Sequence, residues 1–228
     1  VSFFYLLNIS TSFVSTLLRL GAGAIATPVA EPPEQLLELY DFEGCPHCRL
    51  VREVITELDL DVMILPCPKG GRRFREPLFE REGRVQFPYL VDPNNDVAMF
   101  ESADIIKYLF STYGARRTPL RWQLVELQRL GSVLSAMPRP GLGQRVKPSR
   151  VPEQPLELYS FEANPFARLV RDLLCELEIA YILRSCGYRW RNQDRSGKVS
   201  LPYLIDPNAG IERAGVEQIL DYLKVTYG

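Results

Sequence analysis

An α/β fold built from two tandem copies of one βαβαββα unit is what this sequence predicts. Three observations carry the expectation. Leu37-Glu38-Leu39-Tyr40 returns as Leu156-Glu157-Leu158-Tyr159, and Arg49-Leu50-Val51-Arg52 returns at the same offset as Arg168-Leu169-Val170-Arg171. Phe87-Pro88-Tyr89-Leu90-Val91-Asp92-Pro93-Asn94 returns as Leu201-Pro202-Tyr203-Leu204-Ile205-Asp206-Pro207-Asn208, with the intervening stretch five residues shorter. Within each copy the apolar positions switch between period two and helical spacing in the same order.

The elements of the first copy follow in turn. Leu36 to Phe42 alternates apolar and polar residues, as a strand does. Pro46 opens a helix, proline being favoured in the first turn, and Leu50, Val51, Val54, Ile55 and Leu58 give that helix an apolar face. Val62 to Leu65 reads as a short buried strand. A basic, glycine-containing stretch then leads to a helix ending near Glu82-Gly83. Tyr89 to Asp92 and Val97 to Phe100 form a hairpin around Pro93-Asn94-Asn95-Asp96. Ser102 is the expected N-cap of a last helix that runs to Tyr113. The domains expected are an apolar N-terminal tail (1–34), the first unit (35–114), a linker with one helix over Leu120 to Leu134 (115–154) and a degenerate second unit (155–228).

Composition narrows the function classes. The chain has 228 residues, 46% hydrophobic and 24% charged, with a formal net charge of -1. Nucleic acid is not an expected partner, because its binding needs a strongly basic surface. Five cysteines do not make a disulfide framework in a chain of this length; an odd count containing a C-x-x-C pair points to a reducing compartment and to thiol chemistry.

Cys45-Pro46-His47-Cys48 is that pair. Cys45 falls at the start of a helix, where free backbone N–H groups and the helix dipole stabilise a thiolate. Cys48 lies one turn on, within reach of a mixed disulfide formed on Cys45. Two other readings stay open: a pair of buried structural thiols, and a metal clip that adds Cys67 and His47, the only histidine. No metal is the expectation. The second copy has Asn164 and Ala167 where the first has Cys45 and Cys48, so it carries no nucleophile there. Cys67 and Cys186 occupy matching places, as an auxiliary thiol or as small apolar residues. Lys69, Arg72, Arg73 and Arg75, with Arg184, Arg189, Arg191, Arg195 and Lys198 in the second copy, read as a solvated basic face or a site for an acidic surface.

The element order, the C-P-x-C loop before the first helix, the proline before the third strand and the Glu101-Ser102 pair together resemble the thioredoxin-fold superfamily. The likeness is closest to glutaredoxins and to the N-terminal domain of glutathione transferases. The whole chain resembles the tandem glutaredoxin-like proteins of plastids and cyanobacteria. That resemblance implies a thiol–disulfide oxidoreductase with Cys45 as nucleophile, Cys48 as resolving thiol and His47 as a polar neighbour. It further implies that Phe87 and a cis Pro88 present backbone to a substrate, and that Glu101 and Ser102 hold the γ-glutamyl end of glutathione. Glutathione or protein thiols are the partners so implied, and a plastid or cyanobacterial cell, with thylakoid association, is the implied location. In the second copy Gly215-Val216 replaces Glu101-Ser102, so that contact goes with the thiols.

Val1 to Leu18 carries no charge and is rich in Phe and Leu. Its length is at the lower limit for a membrane span, and Asn8 with a Ser/Thr cluster weakens that reading. The alternatives are a segment lying on a membrane or a partner protein, the remainder of a targeting peptide, or a mobile tail. A second class of function follows: a non-enzymatic subunit or assembly factor of a photosynthetic membrane complex, docking through residues 1–30 and the second unit.

Overall fold

The computed structural model describes residues 3–27, 29, 31–114, 117–187 and 200–228. A leading helix, α1 (Phe3–Leu18), precedes the first half: β1 (Leu37–Asp41), α2 (Pro46–Glu57), β2 (Val62–Pro66), α3 (Arg75–Glu82), β3 (Tyr89–Asp92), β4 (Val97–Phe100) and α4 (Ser102–Thr112). Two connecting helices follow, α5 (Leu120–Gln123) and α6 (Val125–Ala136). The second half contains β5 (Leu156–Ser160), α7 (Pro165–Glu176), β6 (Tyr181–Ser185), β7 (Tyr203–Asp206), β8 (Ile211–Ala214) and α8 (Val216–Tyr227).

All eight strands form one mixed sheet, in the order β4-β3-β1-β2-β6-β5-β7-β8. In each half the first two strands are parallel and the hairpin is antiparallel. The halves meet at β2 and β6, which pair antiparallel with Met63 opposite Ile182, Val62 opposite Leu183 and Ile64 opposite Tyr181. Met63 thus faces its own counterpart, and Val62 and Ile64 face each other's counterparts, so the seam has a pseudo-two-fold axis through Met63 and Ile182. Strand β2, short and apolar, is therefore an interior strand of the molecule and not an exposed edge.

The apolar spacing of α2 does what periodicity predicts. Leu50, Val51, Val54, Ile55 and Leu58 are buried with Leu37, Leu39, Ile64 and the inner face of α4, Ile105, Ile106 and Leu109. Helix α3 stops at Gly83, whose left-handed φ of 69° lets its N–H return to the Phe79 carbonyl.

Three expectations need correction. Ser102 is not the N-cap of α4: Glu101 holds that place at φ 71°, ψ 114°, with no side-chain capping bond, and Ser102 is the first helical residue and buried. The single helix expected over Leu120 to Leu134 is two helices, broken at Leu124 (φ -92°, ψ 53°). The break lets Trp122 turn inward, where its Nε1 donates to Glu57 Oε2 at 2.7 Å, while α6 runs along α2.

The N-terminal segment is the third. It forms α1, packed on α6 and α7, but its polar side faces inward. Ser12 Oγ donates to the Pro165 carbonyl (2.7 Å), Ser15 Oγ to the Ser135 carbonyl (2.5 Å) and Thr16 Oγ1 to the Ala163 carbonyl (3.0 Å). The cluster that weakens a membrane-span reading is the glue of this docking. No helix among the described residues is long and apolar enough to cross a membrane.

Candidate active site at the start of helix α2

Cys45 is the N-cap of α2, in extended backbone conformation, and Pro46 fills the first helical position. The Cys45 Sγ accepts from the Cys48 backbone N–H at 3.4 Å. This is the geometry that an N-capping oxygen adopts, with sulfur in its place. Hydrogen bonding from the Cys48 thiol, then from the backbone N–H groups of Cys48 and His47, pulls the Cys45 thiol below its ordinary pKa, although burial opposes it. Burial pushes the Cys48 thiol well above its ordinary value, and the neighbouring Cys45 pushes it the same way. One thiol is thus poised to ionise and the other to hold its proton. The second half repeats the cap without the chemistry: Asn164 Oδ1 accepts from the N–H groups of Phe166 (2.9 Å) and Ala167 (3.0 Å).

Of the residues expected around the thiols, Phe87 is in contact with the segment that leads into the Cys45 loop. The Phe87-Pro88 bond is cis, as is Leu201-Pro202. The Phe87 ring meets the Phe42 ring edge-on at 6.1 Å, just before the Cys45 loop, and the Arg75 guanidinium lies over it at 4.8 Å. Gln86 Nε2 donates to the Glu101 carboxylate at 2.5 Å. His47 is held below its usual pKa by burial and by Arg129 of α6, with Glu101 and Glu126 acting against them.

Cys67 is placed elsewhere. It is fully buried with Tyr40, Leu78, Tyr89 and Phe100, its thiol pushed up by burial and donating to the Leu65 carbonyl at 3.4 Å. It serves as a small core residue there. Among the described residues no group of His, Cys, Asp and Glu could hold a metal ion. The basic stretch after it is not a uniform solvated face either. Arg73 donates to the carbonyls of Leu177 and Glu178, tying the halves together, and Arg75 donates to the Cys67 carbonyl at 2.8 Å. Arg184 pairs with Glu157 (2.8 Å) and Asp61 (3.2 Å). Arg189, Arg191, Arg195 and Lys198 lie outside the described residues.

Two features of the site come from parts of the chain that motif reading passes over. The first is a cover. Cys45 is only 5% exposed and opens on a cavity of about 30 Å³, walled by Ser15 of α1, Ala136 of α6, and Arg139 and Leu142 of the following loop. That is room for a water or two. The linker thus forms a wall of the thiol site.

The second is a buried ion network across the pseudo-two-fold seam. Arg52 reaches Asp41 (2.5 Å), Glu43 (3.2 Å) and Glu162 (2.9 Å). Its counterpart Arg171 reaches Glu43 (3.0 Å) and Glu162 (3.1 Å). Arg49 adds a contact to Glu162 at 3.4 Å, and Arg19 of the segment after α1 pairs with Glu53 at 2.5 Å. All of these side chains are nearly fully buried. Surrounding guanidiniums, Arg171 and Arg52 foremost, hold the Glu162 carboxyl far below the usual range against its burial. Burial and the nearby Arg49 push Arg168 down to about 9. The signal was in the sequence: two arginines three apart on the polar side of the helix, kept in both copies together with Glu43 and Glu162.

Residues 39–117 match the family model for the glutathione S-transferase N-terminal domain. The first half is a thioredoxin-like domain of that type. The match spans Cys45, Cys48, Phe87, Pro88, Glu101 and Ser102 and leaves the second half unmatched. No curated protein and no solved structure matches the chain.

Proposed function

We propose that the protein is a thiol–disulfide oxidoreductase of glutaredoxin type that uses glutathione as its thiol co-substrate. The observation that carries this reading is the opposite tuning of Cys45 and Cys48 within one helix-capping hydrogen bond. The Cys45 thiolate attacks a substrate disulfide, forming a Cys45–substrate disulfide and releasing one substrate sulfur as a thiol after proton uptake. Cys48 then loses its proton and attacks Cys45 Sγ. The second substrate thiol leaves, and a Cys45–Cys48 disulfide remains. Two glutathione molecules reduce that pair and depart as glutathione disulfide. The narrow approach to Cys45 favours a small thiol or disulfide over the face of a folded protein. Glu101 and Ser102 are the residues to which we assign the γ-glutamyl end. His47, neutral near pH 7 given its lowered pKa, is a polar neighbour that adds no charge to the thiolate.

The test is alkylation by iodoacetamide at pH 6, read by mass spectrometry. Cys45 should be modified well before Cys48. Cys45→Ser should abolish disulfide reduction, and Cys48→Ser should accumulate a mixed disulfide with glutathione. Slow and equal modification of both thiols would return the pair to a structural role.

The covered thiol and the apolar outer sides of α1 and α6 favour a second reading, a non-enzymatic subunit or assembly factor of a membrane complex. Its location in a plastid or cyanobacterial cell rests on resemblance. Native co-purification of the Cys45→Ser variant with such a complex, in wild-type yield, would support it over the enzymatic reading.

A further inference from the structure

Helices α1 and α6 are inside out. On α1, Ser12 and Ser15 are buried, while Phe4, Leu7, Phe13, Val14, Leu17 and Leu18 face outward. On α6, Ser132 and Ser135 are buried, while Leu127, Leu130, Val133 and Leu134 face outward. Of the large apolar residues exposed among those described, all but Phe79, Val85, Val151, Phe166 and Val225 lie between Phe4 and Ile25 or between Leu120 and Met137. Phe166 extends the same surface, since its ring meets that of Phe13 at 5.4 Å. A water-soluble helix on a protein surface turns its apolar stripe inward; both of these helices do the reverse.

We propose that this face docks on the leaflet of a lipid bilayer, with α1 and α6 lying in the interface plane. Three observations favour lipid over a protein partner. The inward hydroxyls of the two helices are bonded within the protein: besides the α1 bonds above, Ser132 Oγ donates to the Pro46 carbonyl (2.7 Å), and Ser135 Oγ donates to the Ser132 carbonyl (2.7 Å), while Ser10 and Glu126 stay exposed. Small hydroxyl residues inside and hydrocarbon outside is how helices pack in a lipid medium, where no outward polar group finds a partner. Next, a groove of about 630 Å³ runs between the turn after α1 and α6, lined by Leu18, Leu20, Ile25, Leu127, Leu130 and Leu134. Arg19, Arg121 and Gln128 also line it, and its apolar stretch suits an acyl chain. Last, the charges beside the face lie at one end and are paired, Arg121 with Glu57 at 2.5 Å and Glu126 with Arg129 at 2.7 Å, so no uncompensated charge opposes contact with hydrocarbon. Helix α1 has 16 residues, a length of about 24 Å, short of the ~30 Å hydrocarbon core. With its polar side bonded to the protein body, it lies on the membrane and does not cross it.

The experiment is flotation of the full chain with vesicles of phosphatidylcholine, with and without phosphatidylglycerol. The wild-type chain should float with both vesicles. Leu127→Gln/Leu130→Gln/Leu134→Gln should lower the partition coefficient by roughly a thousandfold, since an immersed leucine is worth about tenfold or more, with an unchanged circular dichroism spectrum. Phe13→Gln/Leu17→Gln, on the other helix, should act in the same direction. Failure to float with either vesicle overturns the proposal. So does a dimer in sedimentation that the leucine variants dissolve, because a second copy would then cover the face. Cys45→Ser should float like wild type, so the outcome is independent of the thiol chemistry.

Discussion

Replacing Glu162 with glutamine should destabilise the protein more than any exposed charge substitution in it. The Glu162 carboxylate lies 2.9 Å from Arg52, 3.1 Å from Arg171 and 3.4 Å from Arg49, with no solvent to take its place. Glutamine keeps the shape and removes the charge. Breaking a buried pair costs about 3–5 kcal/mol, because the remaining charges stay desolvated. Three guanidiniums share this carboxylate, which argues for the upper part of that range. Glu43 still accepts from Arg171 at 3.0 Å, and Asp41 still accepts from Arg52 at 2.5 Å, which argues for the lower. In a chain of this length each kcal/mol moves Tm by about 2–4 °C, so the fall should be roughly 6–20 °C. Glu43→Gln, its pseudo-symmetric counterpart, should cost a similar amount. The control is Glu76→Gln, which removes an ion pair with Arg72 whose side chains are both well exposed; such pairs contribute at most ~1 kcal/mol. Thermal unfolding followed by circular dichroism at neutral pH reads all three. A Glu162→Gln shift no larger than that of Glu76→Gln would show that the network is not the tie between the halves.

Two further predictions follow from the same region. Burial raises Asp41 and Asp172 to about 6, against the pull of Arg52 and Arg139; the native state then keeps protons that the unfolded state has lost between about pH 4 and 6, so these groups make the protein more stable as pH falls from 7 toward 5. Asp41→Asn should flatten that dependence in Tm measured from pH 5 to 8, and an unchanged profile would contradict the assignment. Glu101 holds φ 71°, where the second half has Gly215 at φ 85°; Glu101→Gly should relieve backbone strain of about 1–3 kcal/mol, partly offset by the ~0.5–1 kcal/mol entropy cost of glycine. The variant should be at least as stable as wild type while glutathione no longer perturbs NMR signals near Ser102, and retained perturbation would remove the Glu101 carboxylate from the site.

The strands, the proline-started helix α2 and the hairpin after Pro88 were legible because each is a local pattern, written twice; the cis bond was implied by the resemblance alone. Cys45 was legible as a helix cap for the same reason, the physics of a helix N-terminus being confined to one turn. What escaped reading was long-range. Nothing local to Val62 to Pro66 says that its other edge pairs with Tyr181 to Ser185. A composition reading of α1 takes Leu and Phe as the docking side; here Ser12, Ser15 and Thr16 dock instead, because small hydroxyl residues let helices approach closely and find carbonyl partners on α6 and in the segment leading into α7. Arg52 and Arg171 looked like surface charges on amphipathic helices. Only the pseudo-two-fold pairing brings Glu43 and Glu162 to them, and without that pairing their burial would be prohibitive.

This bears on why a second copy without thiols is kept. Asn164 and Ala167 have lost the chemistry, yet Glu162, Arg168 and Arg171 retain every charge that the seam requires. The second half completes the sheet along β2 and supplies half of the counter-charges of the first. A chain ending at Gly114 would expose β2 as a free edge with Val62 and Ile64 beside it, and would leave Arg52 short of Glu162. Because the seam is pseudo-symmetric, such a chain has a substitute partner in its own copy: β2 can pair with a second β2 about Met63, and the Glu43 of one copy can meet the Arg52 of the other. The shortened chain should therefore run as a dimer in light scattering, and Glu43→Gln should turn it into monomer or aggregate. A well-folded monomer that keeps native circular dichroism and ordinary thermal stability would mean that the first half needs no seam, and the second copy would then require another explanation.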